Sequence, residues 1–213
     1  MPSSSDEVSV CAVILSGGLN TRMDGHNKAF LEVGGKPILD RILGTLCPVF
    51  DEILLVTRQP ELYRQHAVRV VEDIFQSRSS LTGIHAGLVH ARAAFAFVVA
   101  CDAPFLNTAL VLRLLGHIEP DLDAVIPVCG SHYQPLCAIY SKRCVGPIEE
   151  QLKRSDFKII NLFGGIHLKT IPVEVLQNVD PGLRSFFNVN TPDALKESES
   201  IARQMPGGSF KNK

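Results

Sequence analysis

The chain has no excess of charge of either sign. Its 21 basic and 22 acidic residues leave a formal net charge of -1, so no global field draws it to nucleic acid or an anionic membrane, and any affinity for phosphate has to come from local placement. It has no C-x-x-C pair and no H-x-x-x-H spacing, which removes the common zinc patterns. The six cysteines, Cys11, Cys47, Cys101, Cys129, Cys137 and Cys144, read as buried thiols of a reducing compartment, three of them inside apolar runs. Of the seven histidines only His26 falls near the chemistry described below, and solvent exposure is its expected role. The chain has no long hydrophobic run either. The longest apolar region, around Ala93 to Ala100, stops at Asp102, well short of a membrane span. The opening stretch MPSSSDEVSV lacks the basic stretch and apolar core of a secretory signal. A cytoplasmic protein with neither nucleic acid nor membrane among its partners is expected.

What is present is the composition of an ordinary globular protein, 213 residues of which 46% are hydrophobic and 20% charged. A chain of this length can bury a core without staples. A single domain over residues 9–205 is expected, with 1–8 and 206–213 as mobile termini. Short apolar runs alternate with helical patterns. Strands are expected at Ser9–Leu15, Glu52–Thr57, Val68–Val71 and Phe97–Ala100. Helices are expected after Pro37, after Pro60, from about Thr82 to Ala94 and after Asn107, which caps ALVLRLLGHI. Beyond Asp123–Val128 the pattern predicts an extended Tyr133–Tyr140, a helical Ser141–Arg154, an extended His167–Val173 and a helix from Pro192. Continuous apolar strands separated by helices predict a Rossmann-like three-layer α/β/α sandwich with a mainly parallel sheet.

Ligands of such sheets sit outside the carboxyl ends of the strands. The stretch LSGGLNTRMDGHNK, residues 15–28, occupies that position after the first strand. Gly17 and Gly18 let backbone N–H groups approach an anion, Arg22 can fork onto phosphate oxygens, and Lys28 adds a compact charge. The pattern is neither a Walker loop nor G-x-G-x-x-G. Asp102 follows the fourth strand, where a carboxylate can hold Mg²⁺, although an aspartate before Ala-Pro can equally start a turn. Asp73 follows the third strand, with a similar claim on a metal or a hydrogen bond to sugar or base. Asn188 and Asn190, in FFNVNTPDAL, read on their own as a turn and a cap.

Together these segments resemble a family. LSGGLNTRMDGHNKAFLEVGGKPIL is similar to a nucleotidyltransferase signature, and VVEDI, LTGIHAGL, VVACDAPFL and FFNVNTPDAL are similar to motifs of the molybdenum cofactor guanylyltransferases of the MobA type. The resemblance runs from about Val10 to Leu195. It implies a fold of the nucleotide-diphospho-sugar transferase type and transfer of GMP from GTP to the terminal phosphate of molybdopterin. It further implies that Leu15, Gly17 and Gly18 lie against the nucleotide, that Arg22 and Lys28 bind its phosphates, and that Asp73 and Gly83 hold the guanosine. Asp102 would bind Mg²⁺, and Asn188 and Asn190 would line the pterin side or the metal site. Arg22, Lys28 and Asp102 would be the catalytic set. Molybdopterin-delivery proteins and molybdoenzyme chaperones are the partners implied.

The acceptor in such a reaction is already an ionised phosphate, so alignment and charge neutralisation matter more than a general base, and none is expected. Asp24, Asn27 and the stretch Ser79-Ser-Leu-Thr-Gly83 depart from the family pattern. A cytidylyl or sugar-phosphate transferase on the same fold, or a non-catalytic nucleotide-binding protein, would share many of these features. Ser16-Gly17-Gly18, where resembling cytidylyl enzymes carry Ala-Ala-Gly, favours guanine.

Overall fold

A computed structural model describes residues 8–17 and 27–205 of the chain. The first apolar run forms β1 (Val10–Ser16), whose residues Cys11 to Ile14 are wholly buried. After the 3-10 turn Lys28–Phe30 the chain makes a small hairpin, β2 (Glu32–Val33) and β3 (Lys36–Pro37), and enters α1 (Ile38–Leu46). Then follow β4 (Ile53–Thr57), β5 (Arg69–Val71), α2 (Ser80–His90), β6 (Phe95–Ala100) and α3 (Thr108–Leu115). The second half contributes β7 (Ala124–Cys129), β8 (His132–Tyr133), β9 (Cys137–Ser141), α4 (Val145–Lys153), β10 (Leu168–Pro172), α5 (Val173–Leu176) and α6 (Pro192–Gln204).

The main sheet runs β10-β7-β9-β6-β1-β4-β5, with β8 beside β7. β1 pairs in parallel with β4 on one side and β6 on the other, and β5 extends the parallel set. β9 is antiparallel to both β6 and β7, so the sheet is mixed but mainly parallel. One apolar cluster packs on each face. Ile14, Phe97 and Ile139 face α1, α3 and α6, while Val13, Val98 and Tyr140 face α2 and α4. This is the three-layer sandwich expected from the sequence. Strands buried on both faces read as continuous apolar runs because every residue along them is removed from water.

Local expectations fare unevenly. Pro37 precedes a helix and Asn107 caps one, its Oδ1 accepting from the Ala109 N–H at 2.8 Å. The helix expected after Pro60 is only a 3-10 turn, Pro60–Tyr63; Tyr63 is fully buried there by tertiary packing. α2 starts two residues earlier than expected. Ser79 and Thr82 form a reciprocal capping box, which supplies partners for the orphan N–H groups of the first turn. Tyr133–Tyr140 divides into two strands around Pro135, which cannot donate to a ladder. The cysteines divide as well. Cys47 and Cys129 are exposed, against expectation, while Cys11, Cys137 and Cys144 are buried and Cys101 is intermediate. Cys47 caps α1 at its outer end and Cys129 ends β7, where the chain leaves the core. Among the described residues no helix is long and apolar enough to cross a membrane.

α2 crosses β1 closely enough to require glycine. A Cβ on Gly87 would lie 2.5 Å from Val13 Cγ1, whereas one on Gly146, near the start of α4, would meet nothing within 4 Å. Gly87→Ala is therefore expected to destabilise the fold by about 1–3 kcal/mol through overpacking. Gly146→Ala is expected to be neutral or to stabilise by up to about 1 kcal/mol through reduced unfolded-state entropy. Urea unfolding of the two variants checks both signs.

Candidate active site

Four parallel strands in the order β6-β1-β4-β5 end along one edge of the sheet. Within two residues of their ends lie Asp102, Gly17, Arg58 and Asp73 respectively. The site is thus assembled by strand register, and two carboxylates stand at its ends.

At one end Lys28 donates from Nζ to Asp102 Oδ2 at 3.1 Å and to Asn190 Oδ1 at 2.5 Å. Side-chain exposures of 18% and 14% leave the Lys28–Asp102 pair largely shielded from water. The backbone brings its members together: the Cys101 N–H donates to the Leu15 carbonyl at 3.0 Å, and the Val189 N–H to the Asp102 carbonyl at 2.8 Å. Val189 is buried while Asn188 and Asn190 are exposed. Only Asn190 reaches Lys28; Asn188 contacts neither Lys28 nor Asp102 by hydrogen bond. Asp102 Oδ1 is buried and has no hydrogen-bond partner among the described residues.

Lys28 is itself held by local chemistry. Asn27 caps its 3-10 turn, Oδ1 accepting from the Ala29 N–H at 3.1 Å. The Asn27 amide also donates to the Tyr63 hydroxyl oxygen at 2.8 Å, and that hydroxyl shares a 2.5 Å hydrogen bond with Ser16 Oγ. A carboxylate at position 27 could accept from the tyrosine but not donate to it, so the departure from the family pattern at this position has a structural use. Burial raises the Tyr63 phenol above its ordinary range, keeping the hydroxyl protonated.

At the other end Arg58 donates from Nε to Asp73 Oδ2 at 2.8 Å. Its Nη2 lies within hydrogen-bonding distance of the Phe75, Gln76 and Ser77 carbonyl oxygens, at 2.9, 3.0 and 2.8 Å. One guanidinium therefore gathers the whole turn between β5 and α2 around Asp73. Asp73 Oδ1 is also buried without a partner among the described residues. Between the two carboxylates, a Cβ placed on Gly17 would come within 3.9 Å of Asp73 Oδ2. Gly83 meets β1 beneath, where an added Cβ would lie 3.2 Å from Leu15 Cδ2. The side chain of Leu15 is thus turned into the α2 packing.

The structure therefore brings Lys28, Asp102 and Asn190 into contact, places Gly17 near Asp73, and seats Leu15 against Gly83. Gly18 and Arg22 lie outside the described residues, as do Asp24 and His26. Arg58 and Tyr63 were not singled out from sequence, and Ser16 was read only as part of the Ser16-Gly17-Gly18 motif that favours guanine, not as the partner of Tyr63. Arg58 carried one usable signal, a lone arginine directly after an apolar strand at the carboxyl edge; Tyr63 carried none. Both carboxylates share a trait, one oxygen on a cation and the other buried and unmatched. A buried carboxylate oxygen that no described residue matches is costly, which makes both carboxylates candidates for contact with a ligand or with residues outside those described.

These features define an α/β protein with charged and polar groups gathered at the carboxyl edge of a parallel sheet, where nucleotide-binding domains hold their ligands. Comparisons with known proteins narrow the class. Residues 12–163 match the family described as MobA-like NTP transferase domain. A molybdenum cofactor guanylyltransferase of Desulfosudis oleivorans is 38% identical over 91% of this chain and 96% of its own. The crystal structure of molybdopterin-guanine dinucleotide biosynthesis protein A from Archaeoglobus fulgidus superposes with a TM-score of 0.82 at 29% identity, covering 91% of this chain and 99% of that one. A 4-diphosphocytidyl-2C-methyl-D-erythritol synthase from Anaerococcus prevotii shares the fold at a TM-score of 0.66 and 18% identity, with 93% and 100% of the chains covered. The chain belongs to the MobA-like NTP transferase family, and its fold is of the nucleotide-diphospho-sugar transferase type.

Two predictions follow from this geometry. Arg58→Ala leaves the shielded Asp73 carboxylate and three carbonyls without their donor, and is expected to cost about 2 kcal/mol or more in urea unfolding. Burial pushes the Cys101 thiol up to about 11, and the Cys11, Cys137 and Cys144 thiols up to about 12. Because alkylation follows the thiolate, iodoacetamide at mildly alkaline pH is expected to label Cys47 and Cys129 in the native protein. Peptide mapping should find the other four labelled only after unfolding.

Proposed function

We propose that the protein transfers GMP from GTP to the terminal phosphate of molybdopterin, releasing pyrophosphate and giving the guanine dinucleotide form of the cofactor. The observation that carries this reading is the relative of that named activity, 38% identical over nearly the full length of both chains. The carboxyl-edge geometry supports it. An acceptor phosphate oxygen forms a bond to the α-phosphorus as the bond to the β-phosphate oxygen breaks, and the electron pair leaves on pyrophosphate. No proton has to be removed from the acceptor, so we assign no general base.

The roles are ours to assign. Gly17 and Gly18 supply backbone N–H groups to the phosphates. Arg22 and Lys28 neutralise charge that grows on the leaving pyrophosphate, in a shielded setting where such charges act strongly. Asp73, oriented by Arg58, accepts hydrogen bonds from the guanosine, with Leu15 and Gly83 shaping the wall behind it. Asn190 and Asn188 face the acceptor. Asp102 is the residue we assign to Mg²⁺, because its Oδ1 is buried and has no hydrogen-bond partner among the described residues. When bound, the ion supplies further neutralisation of phosphate charge. Among the described residues no group of three or more His, Cys, Asp or Glu is placed to hold a metal ion. We assign the ion to one protein carboxylate and to substrate phosphates, the usual coordination of a nucleotide-bound Mg²⁺. Lys28 holds Asp102 in place until then. We assign the activity to residues 9–205, in the cytoplasm, with molybdopterin-delivery proteins and molybdoenzyme chaperones as partners.

Calorimetric titration with GTP, CTP and ATP in Mg²⁺ tests the nucleotide. GTP is expected to bind at least tenfold more tightly than the others, about 1.4 kcal/mol; a preference for CTP or no binding overturns the assignment. Asp102→Asn is expected to lower kcat by about 10²-fold or more with little change in melting temperature. Normal turnover in that variant removes Asp102 from the mechanism.

A further inference from the structure

A cleft of about 790 Å³ opens on the α1 and α3 side of the sheet. It shares no lining residue with the site described above. Its walls include Lys36, Arg41, Phe105, Arg184 and Met205. Arg41 is anchored by donating from Nε to the Val33 carbonyl at 2.7 Å, and its guanidinium lies 5.8 Å from the centroid of the Phe105 ring. Burial lowers its pKa, the sign of a cation short of solvent, with Glu199 nearby opposing the shift. Lys36 and Arg184 form no ion pair or side-chain hydrogen bond among the described residues.

The acidic groups here accept from backbone N–H groups and keep their charge. Asp180 takes the backbone N–H groups of Arg184 and Ser185 at 3.2 and 2.9 Å, and Glu199 takes that of Gly34 at 2.9 Å. Three cations therefore face two carboxylates that already accept from the backbone. The Asp180 turn is held by Leu183 in the left-handed region, with φ at 47°. A non-glycine residue there costs energy, and the turn it closes presents Arg184 to the cleft. The volume falls in the range of small-molecule sites, about 300–1,000 Å³, and exceeds what an inorganic ion fills.

The connections give the cleft its interest. Lys36 follows Lys28 through one turn and the β2-β3 hairpin, Phe105 follows Asp102 by three residues, and Arg184 precedes Asn190 by six. Each member of the Lys28–Asp102–Asn190 contact thus continues directly into the cleft wall.

We propose that this cleft is a second anion site which takes a small phosphorylated organic molecule between Lys36, Arg41 and Arg184, and that its occupancy is felt at Lys28, Asp102 and Asn190 through those three short segments. Guanidinium forks suit phosphate oxygens, and Phe105 and Met205 give the organic portion an apolar wall. The proposal does not depend on which nucleotide the carboxyl edge binds.

Backbone ¹H–¹⁵N spectra of the full chain, free of nucleotide, test it with phenyl phosphate and inorganic phosphate as probes. Saturable shifts are expected at Gly34, Gly44, Asn107 and Gly182, with Asp102 and Asn190 moving at the same midpoint. Phenyl phosphate should saturate at about tenfold lower concentration than inorganic phosphate. The double variant Lys36→Gln with Arg184→Gln should weaken phenyl phosphate by about tenfold or more, with unchanged melting temperature. Shifts confined to Gly17, Asp73 and Asn190 would return the anion to the carboxyl edge and overturn the proposal. So would unsaturated shifts at about 20 mM probe, or a double variant that binds like wild type. Cleft shifts without movement of Asp102 and Asn190 would overturn the coupling. Failure of GTP binding in calorimetry would leave all of these outcomes readable.

Discussion

Burial of β1 on both faces is the constraint on which the rest depends. Residues Cys11 to Ile14 have no solvent exposure, and their strand lies between β6 and β4, with helices above and below. A strand so placed has every backbone group paired in the sheet and every side chain in one of two apolar clusters, leaving the sequence little freedom but to be small or branched. Gly87 exists to let α2 approach Val13. The same burial ends abruptly at Ser16, and there the chain turns polar.

The consequence is a site whose charges are set by desolvation. Asp102 and Asp73 sit where apolar strands end, neither fully in water nor in the core, and each has one oxygen committed to a cation and one with none of the described residues to match it. Such groups are expensive in an empty protein and useful in one that binds polar substrates, because the protein's dipoles and charges need not reorganise when the ligand arrives. Arg58 and Lys28 play different parts in this. The first knits a turn together through three carbonyls; the ammonium of the second, among the described residues, bonds to the side chains of Asp102 and Asn190.

Much of this was legible in the sequence because it rests on local rules. The apolar runs, the cap at Asn107, and the short motifs around Gly17, Asp102 and Asn190 report backbone requirements that only certain residue types meet, although the last helix is capped by Thr191 and not by the asparagines read as turn and cap. The reading failed where distant packing decides. The segment after Pro60 has helical propensity, yet it forms a 3-10 turn with Tyr63 buried in the core, its hydroxyl bonded to Ser16 and Asn27. Cys47 and Cys129 were expected to be buried like the other thiols and end up outside, because each lies where an element leaves the core.

By itself the sequence determined which segments become buried strands, where the polar loops follow them, and the family to which the chain belongs, since hydrophobic patterning and short motifs act over a few residues. Only the tertiary structure decided that β9 runs antiparallel between β6 and β7, that Arg58 holds Asp73, and that Asn190 rather than Asn188 meets Lys28 across 162 positions of chain. Contacts of that kind follow from the order and direction in which strands pair. No local residue pattern encodes that order, because it is selected by the burial of both sheet faces at once.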